Sequence, residues 1–426
     1  MTIPKLHQTF LSSTGVSTDT RAIKKGNIYF ALKGDNFDGN KFTEQALAAG
    51  AVWAVIDDPE YAGAKTILVS DVLETLQELS KYHRKQLTIP VIGLTGSNGK
   101  TTTKELIAAA LGTQFKVAFT KGNLNNHIGV PLTLLSITNE HEIAIVEMGA
   151  NHQKEIEFLC SLSQPDYGYI TNFGKAHLEG FGGIEGVIKG KSELYDFLRQ
   201  HSKKAFVNAD DSKQVEKTNG LDTITFGTST KARYKTELAA GTAEAIAVRF
   251  EGETIQTHLT GNYNFSNVGA AIAMAKYFKV STANIKTGLE NYFPQNNRSQ
   301  VQRTEKNVLV VDTYNANPSS MEQALLNFHD FPGKGKWVVL GDMFEMGDYE
   351  AEEHQRIAEL AAVQNFEKTV FVGKAFCNSS INGDAVEKFK TTDELLFYLK
   401  NQSPKDKTIL LKGSRGMRIE RAIEFL

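Results

Sequence analysis

Residues 95–102, TGSNGKTT, set two glycines, a lysine and a cluster of hydroxyls between an apolar run (Val91, Ile92, Leu94) and a helix-like run from Thr101 to Leu111 that stops at Gly112. A strand, a glycine turn and a helix N-terminus together form a cradle of backbone N–H groups for phosphates. Gly96 and Gly99 permit close backbone approach, with Ser97 and Asn98 between them. Lys100 supplies a mobile positive charge, Thr101 a hydroxyl for Mg²⁺, and Thr102 continues the helix. The general P-loop pattern asks for a glycine five residues before Gly99, where this chain has Leu94. Even so, the context predicts a site for a nucleoside triphosphate.

Other candidates sit where predicted strands end. Glu147 closes the strand-like IAIVE and is followed by MGAN, a good position for a Mg²⁺ ligand beside a P-loop. His177 and Glu179 lie in the glycine-flanked loop TNFGKAHLEGFG; a single histidine is more often structural than ligating. The helix-like 186–199 segment carries Lys189 and Lys191, which by physics alone read as solvated charges. Arg298 could reach a terminal phosphate, Asp312 a ribose. Asn264 and Asn267, three apart on a helix, suit an adenine edge or a helix cap equally well.

The elements that must hold these residues predict an α/β chain. Its 426 residues suggest about two to three domains. Residues 1–88 read as a small α/β unit with strands at 28–32, 51–56 and 66–69, a helix at 42–49 and an amphipathic helix at 72–87. Residues 89–294 alternate strands and helices as a doubly wound, mostly parallel sheet, with an antiparallel excursion at 222–259 and a helix from Asn264 to Phe278. Residues 295–426 restart the alternation as a Rossmann-like sheet, with Asp312, Asp342 and Lys412 at strand ends. A net charge of −2 points away from nucleic acid and membrane surfaces. Cys160 and Cys377 lack metal or redox spacing, and no apolar run is long enough to span a bilayer, so a cytoplasmic protein is expected.

In order along the chain, TGSNGKTT, NNHIGVP (125–131), EMGA (147–150), TNFGKAHLE (171–179), KSELY (191–195), GNYNFSN (261–267), NNRSQ (296–300) and VDTYNANP (311–318) resemble the Mur ligase family of ATP-dependent peptide-bond formers. That family shares the shortened P-loop. STDTR (17–21), ALKGDNFDG (31–39), DTYNANPSSM (312–321), GDMFEMG (341–347) and KGSRGMRIE (412–420) most resemble the member that joins D-alanyl-D-alanine to UDP-N-acetylmuramoyl-tripeptide. The resemblance implies that Ser17, Thr18, Arg21, Lys33, Gly34 and Asp38 bind the uridine diphosphate, and that Asn126 is a substrate contact. It implies that Thr101, Glu147, His177 and a carbamylated Lys191 help hold two Mg²⁺ ions, while Lys100 grips ATP. Lys189 is a rival for the carbamylated position. By the same resemblance Asn264 and Asn267 lie on the adenine side, Arg298 clamps phosphate, Asp312 accepts the ribose, and Lys412, Ser414 and Arg415 bind the dipeptide carboxylate. It further implies a monomer whose last domain closes onto the central one. The alternatives are another amide ligase of the family (tripeptide-forming or folylpolyglutamate-synthase-like), a kinase, or a nucleotide-binding module without catalysis. A GTPase would need an Asn-Lys-x-Asp loop, which the sequence lacks.

Overall fold

A computed structural model describes the chain from Met1 to Leu426 apart from residues 243, 295 and 296. Gln295 and Asn296, where the third segment and the NNRSQ motif begin, therefore lie outside the described residues.

The first sheet runs, in spatial order, Val16–Ser17, Ile28–Phe30, Trp53–Ile56, Thr66–Leu68, every pair parallel. Strands buried on both faces need continuous apolar runs rather than alternation, and Ile28, Tyr29 and Phe30 are all fully buried. Leu76 and Leu79 of the helix Val72–Gln86 pack with Ile28, Phe30, Leu6 and Phe10. Asp71 caps this helix by accepting from the Glu74 N–H at 2.7 Å, and His83, Arg84 and Lys85 in its last turn suit the negative end of the dipole. The helix Ile3–Leu11, which supplies Leu6 and Phe10, has no counterpart in the sequence reading. A two-residue hairpin, Lys33–Gly34 with Phe37–Asp38, projects from this unit.

The second sheet has seven strands in the order Tyr234–Lys235, Asp222–Gly227, Lys204–Asn208, Tyr167–Ile170, Val91–Thr95, Ile143–Glu147, Val117–Phe119, all parallel. Ile92, Leu94 and Ile145 turn toward the helices Lys100–Leu111 and Asn264–Tyr277. Val91 and Val146 turn the other way, toward Glu155–Ser163 and Ile184–Gln200. The expected antiparallel excursion over 222–259 is corrected in its first half. Asp222–Gly227 and Tyr234–Lys235 extend the parallel sheet, and only Glu237–Ala239, Ala247–Phe250 and Glu253–Gln256 form the antiparallel one. The threonines of 222–227 alternate as an edge strand does, so alternation alone misreports direction.

The third sheet runs Gln300–Arg303, Val308–Asp312, Thr408–Lys412, Lys336–Gly341, Lys368–Val372, Val386–Phe389, parallel except for the first pair. Its register sets Asp312 directly beside Lys412 at the strand ends.

Candidate active site

A cleft of about 700 Å³ opens where the second sheet faces the third. Its floor is the turn after Val91–Thr95. Gly96 adopts φ +142°, and a Cβ there would lie 2.0 Å from Thr171 Oγ1. Gly99, at φ +78°, caps the helix Lys100–Leu111, and a Cβ there would meet the Asn267 carboxamide at 2.8 Å. Both positions therefore require glycine. Lys100 is the first helical residue, and its ammonium donates to the Gly96 carbonyl at 2.7 Å and the Ser97 carbonyl at 3.2 Å. Burial, with Arg298 adding repulsion and Glu147 opposing both, brings the Lys100 ammonium down to about 8. The Ser97 hydroxyl donates to Gly174 O at 2.7 Å. Thr102 lines the cleft.

Glu147 is buried in the adjoining wall. Its Oε1 accepts from Thr101 Oγ1 at 3.2 Å and from Asn125 Nδ2 at 2.8 Å. Its Oε2 is buried without a hydrogen bond. A hydroxyl and a carboxylate side by side form a hard donor set that fits Mg²⁺. Among the described residues no three His, Cys, Asp or Glu side chains cluster as a self-sufficient metal site. A second ion would need an oxygen ligand from elsewhere.

Lys191 lies behind Ala150 and outside the cleft lining. Its side chain is completely buried, and its amine donates to Ala150 O at 2.9 Å, 4.9 Å from the Phe181 ring centre. Burial, then repulsion from Lys100, pushes this amine well below the usual lysine range. The lowering favours the free amine, the form that can take up CO₂. Lys189 is exposed, so the solvated reading fails for Lys191 and holds for its rival. His177 lines the cleft at φ +54° with Nδ1 bonded to Glu345, a residue of the third sheet's loops.

The other expected contacts divide. Arg298 enters the cleft, its guanidinium carbon 3.5 Å from the Tyr314 ring centre and its buried Nε without a partner. Asn264 and Asn267 line the cleft but spend their amides inside the protein. Asn264 donates to Thr260 O at 2.7 Å and Asn267 to Asn264 Oδ1 at 2.9 Å, while Thr103 Oγ1 donates to Asn267 Oδ1 at 3.0 Å. They brace the P-loop helix from positions that still line the cleft. Asp312 also lines the cleft, where its carboxylate pairs with Lys412 and accepts from the Ser299 N–H at 3.2 Å, with acceptor capacity left over for a ribose hydroxyl. Lys412, buried and paired with Asp312, lines the same cleft. The buried Ser414 hydroxyl accepts from the Phe344 N–H at 2.9 Å and lies outside the cleft lining. Arg415, exposed, with its guanidinium 5.5 Å from the Tyr314 ring centre, remains available.

Asn126 lines the cleft, its Oδ1 accepting from the N–H groups of Ile128 and Gly129 where the helix Gly129–Leu135 begins. None of the first-sheet candidates joins it there. Ser17 bonds to Asp19, Arg21 pairs with Asp19 in solvent, Lys33 pairs with Asp57 at 2.8 Å, and Asp38 accepts from the Asn40 N–H; Thr18 and Gly34 lie beside them. They form a separate polar surface around the hairpin.

Sequence reasoning did not single out Asn125, Tyr314 or Asn317. The Asn317 amide donates to Asn98 Oδ1 at 2.7 Å, joining the third sheet's first helix to the P-loop itself. All three sit inside the quoted motifs, which was the available signal.

Three family profiles tile the chain: "Mur ligase family, catalytic domain" over residues 12–84, "Mur ligase middle domain" over 94–275 and "Mur ligase, glutamate ligase domain" over 297–415. The UDP-N-acetylmuramoyl-tripeptide–D-alanyl-D-alanine ligase of Bacillus subtilis is 35% identical, with 99% of this chain and 94% of that protein covered. Among solved structures, the MurF of Acinetobacter baumannii is 30% identical with a TM-score of 0.88, covering 99% of this chain and 98% of its own. The Thermotoga maritima MurF ligase in complex with ADP is 25% identical with a TM-score of 0.84, covering 98% and 97%. Profiles and relatives agree from end to end with the cleft just described, and the chain belongs to the Mur ligase family.

Proposed function

We propose that this chain is an ATP-dependent ligase that joins D-alanyl-D-alanine to UDP-N-acetylmuramoyl-tripeptide and releases ADP and phosphate. The substrates are those for which the full-length relatives are named. The observation that carries the phosphoryl chemistry is the meeting of Lys100 and Arg298, from two different domains, in one cleft.

An ionised carboxylate resists attack by an amine, so it must first be activated. The tripeptide carboxylate attacks the γ-phosphorus of ATP, giving an acyl phosphate and ADP. Lys100 and Arg298 balance the charge that builds on the transferring oxygens. The dipeptide ammonium gives up a proton, the free amine adds to the acyl carbon and loses a second proton, and phosphate leaves from the tetrahedral intermediate. Thr101 and Glu147 would hold one Mg²⁺, with His177 and a carbamylated Lys191 for a second; bound there, the ions supply positive charge to the phosphate oxygens. Carbamylation joins the Lys191 nitrogen to the carbon of CO₂ with loss of a proton, turning an amine into an oxygen ligand.

Within this reading, residues 1–88 bind the uridine nucleotide through Ser17, Thr18, Arg21, Lys33, Gly34 and Asp38. Residues 89–294 bind ATP, and residues 295–426 present the dipeptide with Arg415 near its carboxylate. No helix among the described residues is long and apolar enough to cross a membrane; the reading places a monomer in the cytoplasm, where ATP is supplied.

The test is incubation with Mg-ATP, UDP-N-acetylmuramoyl-tripeptide and D-alanyl-D-alanine, omitting each in turn, with ADP and the mass of the uridine product as readouts. ADP formed only with all three, alongside a product heavier by one dipeptide unit, is the expected result. ADP without a joined product would replace these substrates by another acid or amine. No turnover despite nucleotide binding would sink the enzyme reading.

A further inference from the structure

The wall that carries Glu147 hides a charge that the scheme above does not use. Lys104 lies one helical turn after Lys100, and its side chain has no exposure at all. A lysine is kept in such a place only with compensation. Its ammonium stands 3.5 Å from Glu147 Oε2, 4.0 Å from Glu105 Oε1 and 3.4 Å from the Gly122 carbonyl. Glu105 accepts in turn from the Tyr292 hydroxyl at 2.7 Å. The two oxygens of Glu147 thus differ: Oε1 is hydrogen-bonded to Thr101 and Asn125, whereas Oε2 faces an ammonium without a hydrogen bond.

A lone buried carboxylate beside a hydroxyl would attract a divalent cation by itself. One already neutralised by an ammonium a few ångströms away offers that cation much less, because the dication must approach a fixed positive charge in a poorly screened interior. Nucleotide phosphates on the open side of Glu147 add several negative charges and reverse the balance. We propose that Lys104 is a positioning residue that orients Glu147 and, by neutralising it, makes divalent-cation binding conditional on nucleotide phosphates. This rests on the ATP-dependent reading and adds an order of binding to it.

The test titrates the full chain with Mn²⁺, following free Mn²⁺ by EPR with and without ADP, against an ADP-only control. The wild type should hold Mn²⁺ at least about tenfold more tightly with ADP than without it. K104M should gain about tenfold in nucleotide-free Mn²⁺ affinity, while K104R should match the wild type. A role in folding alone would lower thermal stability without creating this nucleotide-free binding. Equal wild-type Mn²⁺ affinity with and without ADP overturns the proposal, whether or not any variant folds. So does a folded K104M, or K104Q if K104M does not fold, with unchanged nucleotide-free affinity. Failure of the ligase reading would look different: no ADP formed in the substrate-omission assay, whatever Mn²⁺ does.

Discussion

The central sheet is joined to its two neighbours in contrasting ways. Toward the first sheet the joint is built from residues outside the cleft. Arg84, buried, donates to the carbonyls of Ser163, Gln164 and Leu87 and to Asp166, with distances of 2.9 to 3.2 Å. His83 bonds to Ile137 O at 2.9 Å, and Leu135 of the central unit completes the first unit's apolar core. Toward the third sheet the joint includes cleft residues, Asn98 with Asn317 and His177 with Glu345, beside Lys175 with both Ser319 and Glu353 outside the cleft lining. An apolar cluster also runs on across this second joint, from Leu178 and Phe181 to Met343 and Met346. One joint therefore lies outside the cleft, and the other includes residues that line it. Docking of the third unit and occupation of the cleft must then influence each other.

The largest effect is expected at the first joint. Arg84→Ala strands three carbonyls and leaves Asp166 with Lys203 as its remaining cation. It should cost about 3 kcal/mol in chemical denaturation. If the loss were under about 1 kcal/mol, the first joint would not be the rigid one. A smaller and different effect is expected at the second joint from Asn317→Ser. Serine keeps the helix cap that Asn317 provides to Ser320 but loses the amide reaching Asn98. Stability should move by less than about 0.5 kcal/mol, while KM for ATP rises about three- to tenfold. An unchanged KM would mean that the bond across the second joint is uncoupled from the nucleotide.

This contrast also marks what was readable in the chain. The P-loop was legible because its demands are local: two glycines with positive φ between a buried strand and a helix. Lys191 was half legible. Val187, Lys191, Leu194 and Leu198 fall on one helical stripe that the structure buries, whereas Lys189 falls off it and is exposed; sequence reasoning left both as rivals. The pairing of Asp312 with Lys412 was not legible. It depends on two strands a hundred residues apart being parallel neighbours in one register. The Asn98–Asn317 bond is equally remote, and no local rule anticipates a partner in another domain.

The smallest effects separate the two joints by pH. In the first unit His7 Nε2 and His83 Nδ1 lie 3.0 Å apart, among Phe10, Tyr82 and the Ile137 carbonyl. Burial lowers both imidazoles, and for His7 the neighbouring His83 lowers it further. An unfolded chain then takes up protons more readily than the folded one, so stability should fall as pH drops below about 6.5. His7→Phe should flatten part of that slope. At the second joint the hydrogen bond from His177 holds the Glu345 carboxyl below its usual range, with burial opposing. That contribution is present above about pH 4.5 and disappears as pH falls through the lowered folded value. Glu345 is half exposed, so screening limits the effect to a few tenths of a kcal/mol. Denaturation curves from pH 7 downward should therefore show a histidine-dependent loss first and a loss absent in Glu345→Gln only at lower pH. The reverse order would mean that the joint outside the cleft is the stronger of the two in acid, and that the cleft-side joint opens before it.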